Sequence, residues 1–481
     1  MSALVLAVVF LGLSLNLSLA ATTAKHYTEL QFAPLGEVKV PEYQRFVLKN
    51  GMVVYLMEDK ELPLVGGTAL VRTGERWEPG EKTGLAGLVG TVMRTGGTSK
   101  HSPDELNELL EQRAAAVETS IGEGSGSASF SALSEDLTPV FDLFVEVLRE
   151  PVFAQDKLDL AKTQVRGGIA RRNDEPEGIA GREFRKLIYG KDNPYARTVE
   201  YATLNNISRD DLVKFYQQYF YPNNIILGIV GDFDSQKMMA LVESKFGDWQ
   251  PNKQSVKPPL PNVTQVNKSG VFFVNQPQLT QSNILIGHLG GMWNNPDFGA
   301  LDVLNGVLNG FGGRLFNEVR SRQGLAYSVY GAWSPRFDYP GLFIAGGQTR
   351  SEATVQFVQS LRNEIKRLQD APVTQKELAF AKDSTLNSFV FNFADPSQTL
   401  SRLMRYEYYG YPADFLFRYQ KAVAATTIAD VQRVARQYLK PENLVTLVVG
   451  NQKAIKPPLT QLSPQVTTID ITIPGSPVVQ R

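Results

Sequence analysis

The sequence predicts an α+β chain of two homologous halves, and two observations carry that expectation. The first is a repeat. Asp211 to Tyr219 leads through Pro222-Asn223-Asn224 into the apolar run Ile225 to Val230 and stops at Gly231, while Asp430 to Tyr438 leads through Pro441-Glu442-Asn443 into Leu444 to Val449 and stops at Gly450. The offset is 219 residues throughout, and Asp, Gln, Tyr, Pro, Asn, Val and Gly coincide, which marks an internal duplication. The second is the chemistry of each copy: an amphipathic helix, a Pro-Asn turn that cannot continue it, and a β-branched run too continuous for anything but a buried strand.

The elements follow in order. Phe46 to Lys49, Asn50-Gly51 and Met52 to Met57 read as a hairpin, because Asn-Gly supplies the positive φ of a two-residue turn. A strand near Thr68 to Arg72 and a helix from Gly84 to Arg94 come next. The second half repeats this order with strands at Val271 to Val274 and Ser282 to Gly287 and a helix from Phe298 to Leu308. The expected division is a first half over 40–250, a Pro-, Lys- and Asn-rich linker over 251–270, a second half over 271–455 and a polar tail of little order over 456–481. Residues 1–20 are apolar and small, and Ser18-Leu19-Ala20 fits a secretory cleavage site, so export to the periplasm, a lumen or the medium is expected. That segment lacks Lys and Arg, which leaves a misplaced start or an uncleaved anchor as alternatives.

Composition excludes several functions. Lys plus Arg and Asp plus Glu both total 49, so no net basic field attracts nucleic acid. With no Cys, the chain has no disulfide, thiol nucleophile or thiolate metal site.

Gly84-Leu85-Ala86 after Arg72-Thr73-Gly74-Glu75-Arg76, then Thr95-Gly96-Gly97-Thr98, Asn193-Pro194-Tyr195 and Gly231-Asp232-Phe233, together resemble the landmarks of the pitrilysin and mitochondrial-processing-peptidase family of zinc peptidases. The resemblance implies that each half is part of a clamshell enclosing a peptide-digesting chamber. Active members carry His-x-x-Glu-His on the first helix, where residues three and four apart share one face and converge on one metal. The matching positions here are Gly87, Gly90 and Thr91, and the Glu-Glu stretch that supplies the third ligand is matched by Gly167 and Gly168. None of these can bind zinc or accept a proton. The chain has only three histidines, His26, His101 and His288, too far apart in sequence for a paired-His motif. Each helical glycine costs roughly 0.5–1 kcal/mol relative to Ala. The simpler account of these glycines is relaxation of an unused site, and the alternative is close approach of a partner or peptide backbone.

The second half keeps a family signature. Leu315 to Tyr327 resembles the segment in which an Arg and a Tyr seven residues apart reach the substrate at the opposite half's zinc, which implies substrate-binding roles for Arg320 and Tyr327. Their alternative roles are a surface ion pair and a strand-edge aromatic. Asn309 to Arg314 is glycine-rich but reads as a helix end and not as a phosphate loop. Gly122 to Ser131 resembles the family's strand beside the zinc helix, where strand addition needs only backbone. Arg402 to Tyr409 reads as a helix with one packed face.

The expected function is that of a non-catalytic, substrate-binding subunit of a heteromeric zinc peptidase. It would carry no cofactor of its own and pair with a zinc-bearing sister. The alternatives are a purely structural subunit and a self-sufficient peptidase with a rebuilt site.

Overall fold

The hairpin that opens the fold has a loop one residue longer than the expected two-residue Asn-Gly turn. The Gly51 N–H donates to the Leu48 carbonyl and the Leu48 N–H to the Met52 carbonyl, both at 2.9 Å, so three residues make the loop and only Gly51, at φ 88°, takes the left-handed conformation. Asn50 serves differently from the two-residue turn expected. Its side-chain amide is buried and donates to the carbonyls of Phe246, at 2.6 Å, and Trp249. The computed structural model describes residue 26 and residues 38–252, 258–310 and 312–475. The signal segment expected over 1–20 lies outside these.

Two six-stranded sheets follow. The first contains β1 (Gln44–Val47), β2 (Val53–Glu58), β3 (Leu64–Val71), β4 (Ala116–Ile121), β5 (Gly126–Leu133) and β6 (Ile225–Gly231), in the order β1-β2-β6-β3-β5-β4. The second contains β7 (Gly270–Asn275), β8 (Gln281–Leu289), β9 (Val329–Ser334), β10 (Leu342–Arg350), β11 (Val445–Gly450) and β12 (Val466–Thr468), in the order β12-β7-β11-β8-β10-β9. From the second position onward the orders are equivalent. In each sheet the last strand of the duplicated unit, β6 or β11, lies parallel to β2 or β7 and antiparallel to β3 or β8. Both are buried almost throughout, as expected for β-branched runs covered on two faces.

The first half carries α1 (Leu85–Thr95), α2 (Pro103–Glu111), α3 (Leu137–Arg149), α4 (Gln155–Arg171), α5 (Pro176–Tyr189), α6 (Tyr201–Asn205), α7 (Arg209–Tyr219) and α8 (Ser235–Phe246). The second carries α9 (Phe298–Leu308), α10 (Thr354–Asp370), α11 (Gln375–Ser388), α12 (Pro396–Tyr409), α13 (Phe415–Ala425) and α14 (Ile428–Tyr438). The repeat read from sequence is α7 with β6 and α14 with β11; both helices begin with a capping box, Ser208 with Asp211 and Thr427 with Asp430.

The halves are not self-contained. Helix α5 of the first half packs on the second sheet, where Ile179, Ala180, Phe184 and Ile188 meet Val274, Leu285, Val445 and Val449. Helix α12 of the second half packs on the first sheet, where Leu400, Leu403 and Met404 meet Tyr55, Met57 and Ile226. Gly228 makes room for this exchange, since a Cβ there would lie 2.2 Å from the Met404 sulfur. Hydrogen bonds fix α12 further: Arg45 and the Tyr55 hydroxyl both donate to Glu407, at 2.7 and 2.6 Å. The segment after 455, expected to be a tail of little order, instead adds β12 to the sheet by pairing with β7, and Ile469 and Ile471 join the α5 core. Its alternating apolar residues were masked in sequence by the surrounding Pro and Thr.

The exchange predicts that Phe184→Ala and Met404→Ala each destabilise the whole chain by about 2–5 kcal/mol. Chemical denaturation followed by far-UV circular dichroism should show one shared transition in each variant. Two separated transitions would mean that the sheets are independent.

Candidate functional site

Helix α1, which holds the positions of the lost zinc motif, starts without a side-chain cap from Gly84, its own N-cap residue at φ 104°. Glu78 takes over: its carboxylate accepts the backbone N–H groups of Gly84 and Ala86, both at 2.9 Å. Those bonds favour the ionised form, but burial outweighs them and, with Glu75 nearby, pushes the Glu78 carboxyl up to about 7.

The five positions differ in what surrounds them. A Cβ at Gly167 or Gly168, on α4, would meet nothing within 4 Å, and one at Gly87 only the Glu75 Oε1 at 3.9 Å. A Cβ at Gly90 would lie 2.4 Å from the backbone nitrogen of Ile121 and 2.8 Å from the Ser120 carbonyl carbon. Thr119 ties the same place down, its hydroxyl donating to the Gly90 carbonyl at 2.5 Å. Relaxation alone therefore does not account for Gly90: the approaching backbone is the chain's own β4. Thr91 is exposed and offers only a hydroxyl. These residues do not fit a zinc ion. The four glycines offer no donor side chain, and Gly90, the place of the catalytic Glu, is closed by a strand.

The run Gly122 to Ser131, expected beside this helix, forms the turn and most of β5; the edge strand against α1 is β4. The Gly122 N–H donates to the Ser125 carbonyl, which sets the phase of the hairpin so that the backbone of Val117, Thr119 and Ile121 points away from β5. Arg94 donates to the Val117 carbonyl at 2.7 Å, while the Thr119 backbone N–H and carbonyl have no partner among the described residues. The second sheet treats its edge differently. Asn305 accepts from and donates to the backbone of Trp333, at 2.7 and 3.0 Å, and Asn309 does the same for Gly331, so α9 closes β9.

Glu75 stands beside Gly87, its carboxyl raised by burial and by the Glu123 charge. Glu123 is held by Arg185 and by the Tyr339 hydroxyl, and Arg76 is ion-paired to Asp338 at 2.8 Å with its side chain 1% exposed. Tyr195 stacks on Tyr339 with ring centroids 3.7 Å apart. Sequence reasoning passed over this seam, because two of its pairs, Glu123 with Tyr339 and Arg76 with Asp338, join residues more than two hundred positions apart and no motif announces any of them.

Arg320 lies in a π-helical turn, Phe316–Arg322, and Tyr327 in the loop after it. The Arg320 guanidinium carbon sits 4.8 Å from the Phe316 ring centroid and 4.7 Å from that of Tyr327. Tyr327 is 85% exposed, and Arg320 has no carboxylate partner among the described residues, whereas Arg314 pairs with Glu377 and Arg322 with Glu318. The structure thus joins these two to each other. No hydrogen bond or ion pair among the described residues links them to the α1 positions. His288 is structural: one ring nitrogen lies 2.8 Å from the Leu289 carbonyl and the other accepts the Lys440 N–H, and burial lowers its affinity for a proton. His101 contacts Glu146 at 2.8 Å.

Two outcomes follow for stability. Gly167→Ala and Gly168→Ala should each stabilise by about 0.5–1 kcal/mol, while Gly90→Ala should destabilise by about 1–3 kcal/mol, as read by urea unfolding. Equal effects at all three would refute the distinction between open and closed positions. The Glu78 carboxyl is raised in the folded state, so its contribution is present below about pH 4.5 and is lost as pH rises toward 7. Over that window it should lower stability by up to about 1.4 kcal/mol per pH unit. Glu78→Gln should flatten this part of the melting-temperature profile, and an unchanged slope would reject the assignment.

Two family models match the chain: "Insulinase (Peptidase family M16)" over residues 57–201 and "Peptidase M16 inactive domain" over residues 206–385. An uncharacterized zinc protease of Mycobacterium leprae is 28% identical over 281 residues, 57% of this chain and 62% of that protein, so the match spans under two thirds of that relative. The uncharacterized zinc protease YmxG of Bacillus subtilis is 24% identical over 363 residues, covering 75% of this chain and 86% of YmxG. The crystal structure of a peptidase M16 inactive domain from Pseudomonas fluorescens superposes with a TM-score of 0.74 at 24% identity, over 86% of this chain and 100% of that one, which shows the shared fold. With the duplicated halves, the degenerate α1 and these matches in agreement, the chain belongs to the insulinase family of peptidases, family M16, as a non-catalytic member.

Proposed function

We propose that this chain is the substrate-holding subunit of a heteromeric zinc peptidase, exported from the cytoplasm and paired with a zinc-bearing sister of the same family. The observation that carries the reading is the contrast between its two sites. Helix α1 offers neither metal ligand nor base at Gly87, Gly90 and Thr91, while a half-buried Arg320 and an exposed Tyr327 remain side by side, Arg320 without a carboxylate partner among the described residues. A cationic fork beside a phenol suits a peptide carbonyl or a developing oxyanion at a zinc that the sister supplies. The unpartnered backbone of Thr119 gives an extended peptide one place to add as a strand.

One observation favours the structural reading instead: α1 lies against β4 at Gly90, which narrows the cleft between helix and edge strand. The experiment that separates the two starts from the complex purified from its native extract. Arg320→Ala and Tyr327→Phe should leave the complex assembled and lower its peptidase rate by about a hundredfold or more. The double variant should lose less than the product of the single losses, because both residues act on one substrate group. Normal assembly with an unchanged rate in both variants would leave the chain a scaffold.

A further inference from the structure

Helix α5 covers only part of the second sheet, and the part it leaves open is shaped. Between its first turns and strands β8, β9 and β10 lies a groove of about 440 Å³, within the range of a ligand site. Its floor is apolar, formed by Leu285 and Ile344, and Ala180 of α5 makes one wall. Gly181 keeps that wall open, since a Cβ there would meet nothing within 4 Å. The other wall is Tyr330, 41% exposed. Ser328, also in the lining, is the next residue after Tyr327, so the groove begins where the Arg320 and Tyr327 pair ends.

Its charge is one-sided. Among the described residues Glu177, in the first turn of α5, is the only carboxylate or cation that lines it, and it is exposed at the rim. Gln348 donates to Glu177 and holds its carboxylate over the opening. The phenol of Tyr330 is pushed up by burial and then by the Glu177 charge, which agrees with the two facing the same space. An apolar channel walled by an aromatic ring and ending in one carboxylate matches a side chain with an aliphatic stem and a cationic head.

We propose that this groove is a side-chain pocket for a Lys or Arg of the bound peptide. The stem lies over Leu285 and Ile344, the cation passes the face of Tyr330, and the head pairs with Glu177. The inference rests on the substrate-holding reading and adds to it a preference for basic peptides. A purely apolar residue would fill the floor but leave Glu177 without a counter-charge, and an acidic one would face it with like charge.

The test uses the full chain and three dye-labelled unstructured peptides that differ at one position, carrying Lys, Met or Glu, with binding read by fluorescence anisotropy. The wild-type chain should favour Lys over Met by about two- to fivefold, the range of a rim ion pair, and Glu least. Glu177→Gln should erase the difference between Lys and Met, and Glu177→Lys should turn the preference toward Glu. High salt should shrink the preference in the wild-type chain. Equal binding of all three peptides, weakened alike by Arg320→Ala, would overturn the pocket and leave the substrate-holding reading standing. A Lys preference that survives Glu177→Gln would also overturn it. Failure of the full chain to bind any of the three would overturn the substrate-holding reading and the pocket with it.

Discussion

The exchange of helices α5 and α12 between the two sheets is the constraint on which the rest of this molecule depends. Each sheet has one face covered by helices of its own half and the other covered by a helix borrowed from its twin. An uncovered sheet face would leave Leu285, Val445 and Val449, or Tyr55, Met57 and Ile226, in water, and burying such apolar surface is the dominant favourable term in folding. The swap therefore couples the halves energetically. It also sets the position of everything between them: the turn at Glu123 and Gly124 meets the loop at Asp338 and Tyr339, and the Tyr408 hydroxyl of α12 donates to the Gly124 carbonyl at 2.5 Å.

That coupling explains why the chain retains an intact fold around a zinc position that has lost its ligands. The N-terminus of α1 is held by Glu78, and its middle by the contact of Gly90 with β4, so the helix keeps its place without metal. Glycine at 90 works as a packing residue, whereas Gly87, Gly167 and Gly168 leave open space. The same substitution type thus has two physical meanings in one site. Where a Cβ would strike backbone, glycine is required; where it would meet solvent, glycine only weakens a helix.

The two halves have diverged in opposite directions. The first retains an edge strand with unpartnered backbone at Thr119, and the second has closed the corresponding edge with Asn305 and Asn309, whose amides stand in for a neighbouring strand. The second instead exposes Tyr327, stacked on a half-buried Arg320, beside an apolar groove with one acidic rim residue. A duplicated fold can divide labour in this way because each half is held by the other.

Much of this was legible in the sequence. The duplication, the α+β class and the order of the opening strands and the first helix follow from local pattern, because periodicity, turn chemistry and residue type act within a few positions along the chain, whereas matching Gly87, Gly90, Thr91, Gly167 and Gly168 to ligand positions needed the resemblance. The pairing of Arg320 with Tyr327 was suggested by their spacing and a resemblance. Tertiary structure alone decided which sheet each amphipathic helix covers: α5 and α12 have the same kind of apolar stripe as their neighbours, and nothing local says on which half it is spent. It likewise decided that Gly90 is filled from outside, that residues 466–468 join a sheet, and that Glu123 reaches Tyr339. These are contacts across large sequence separation, where the partner's distance and direction are properties of the packed chain and leave no trace in the order of residues.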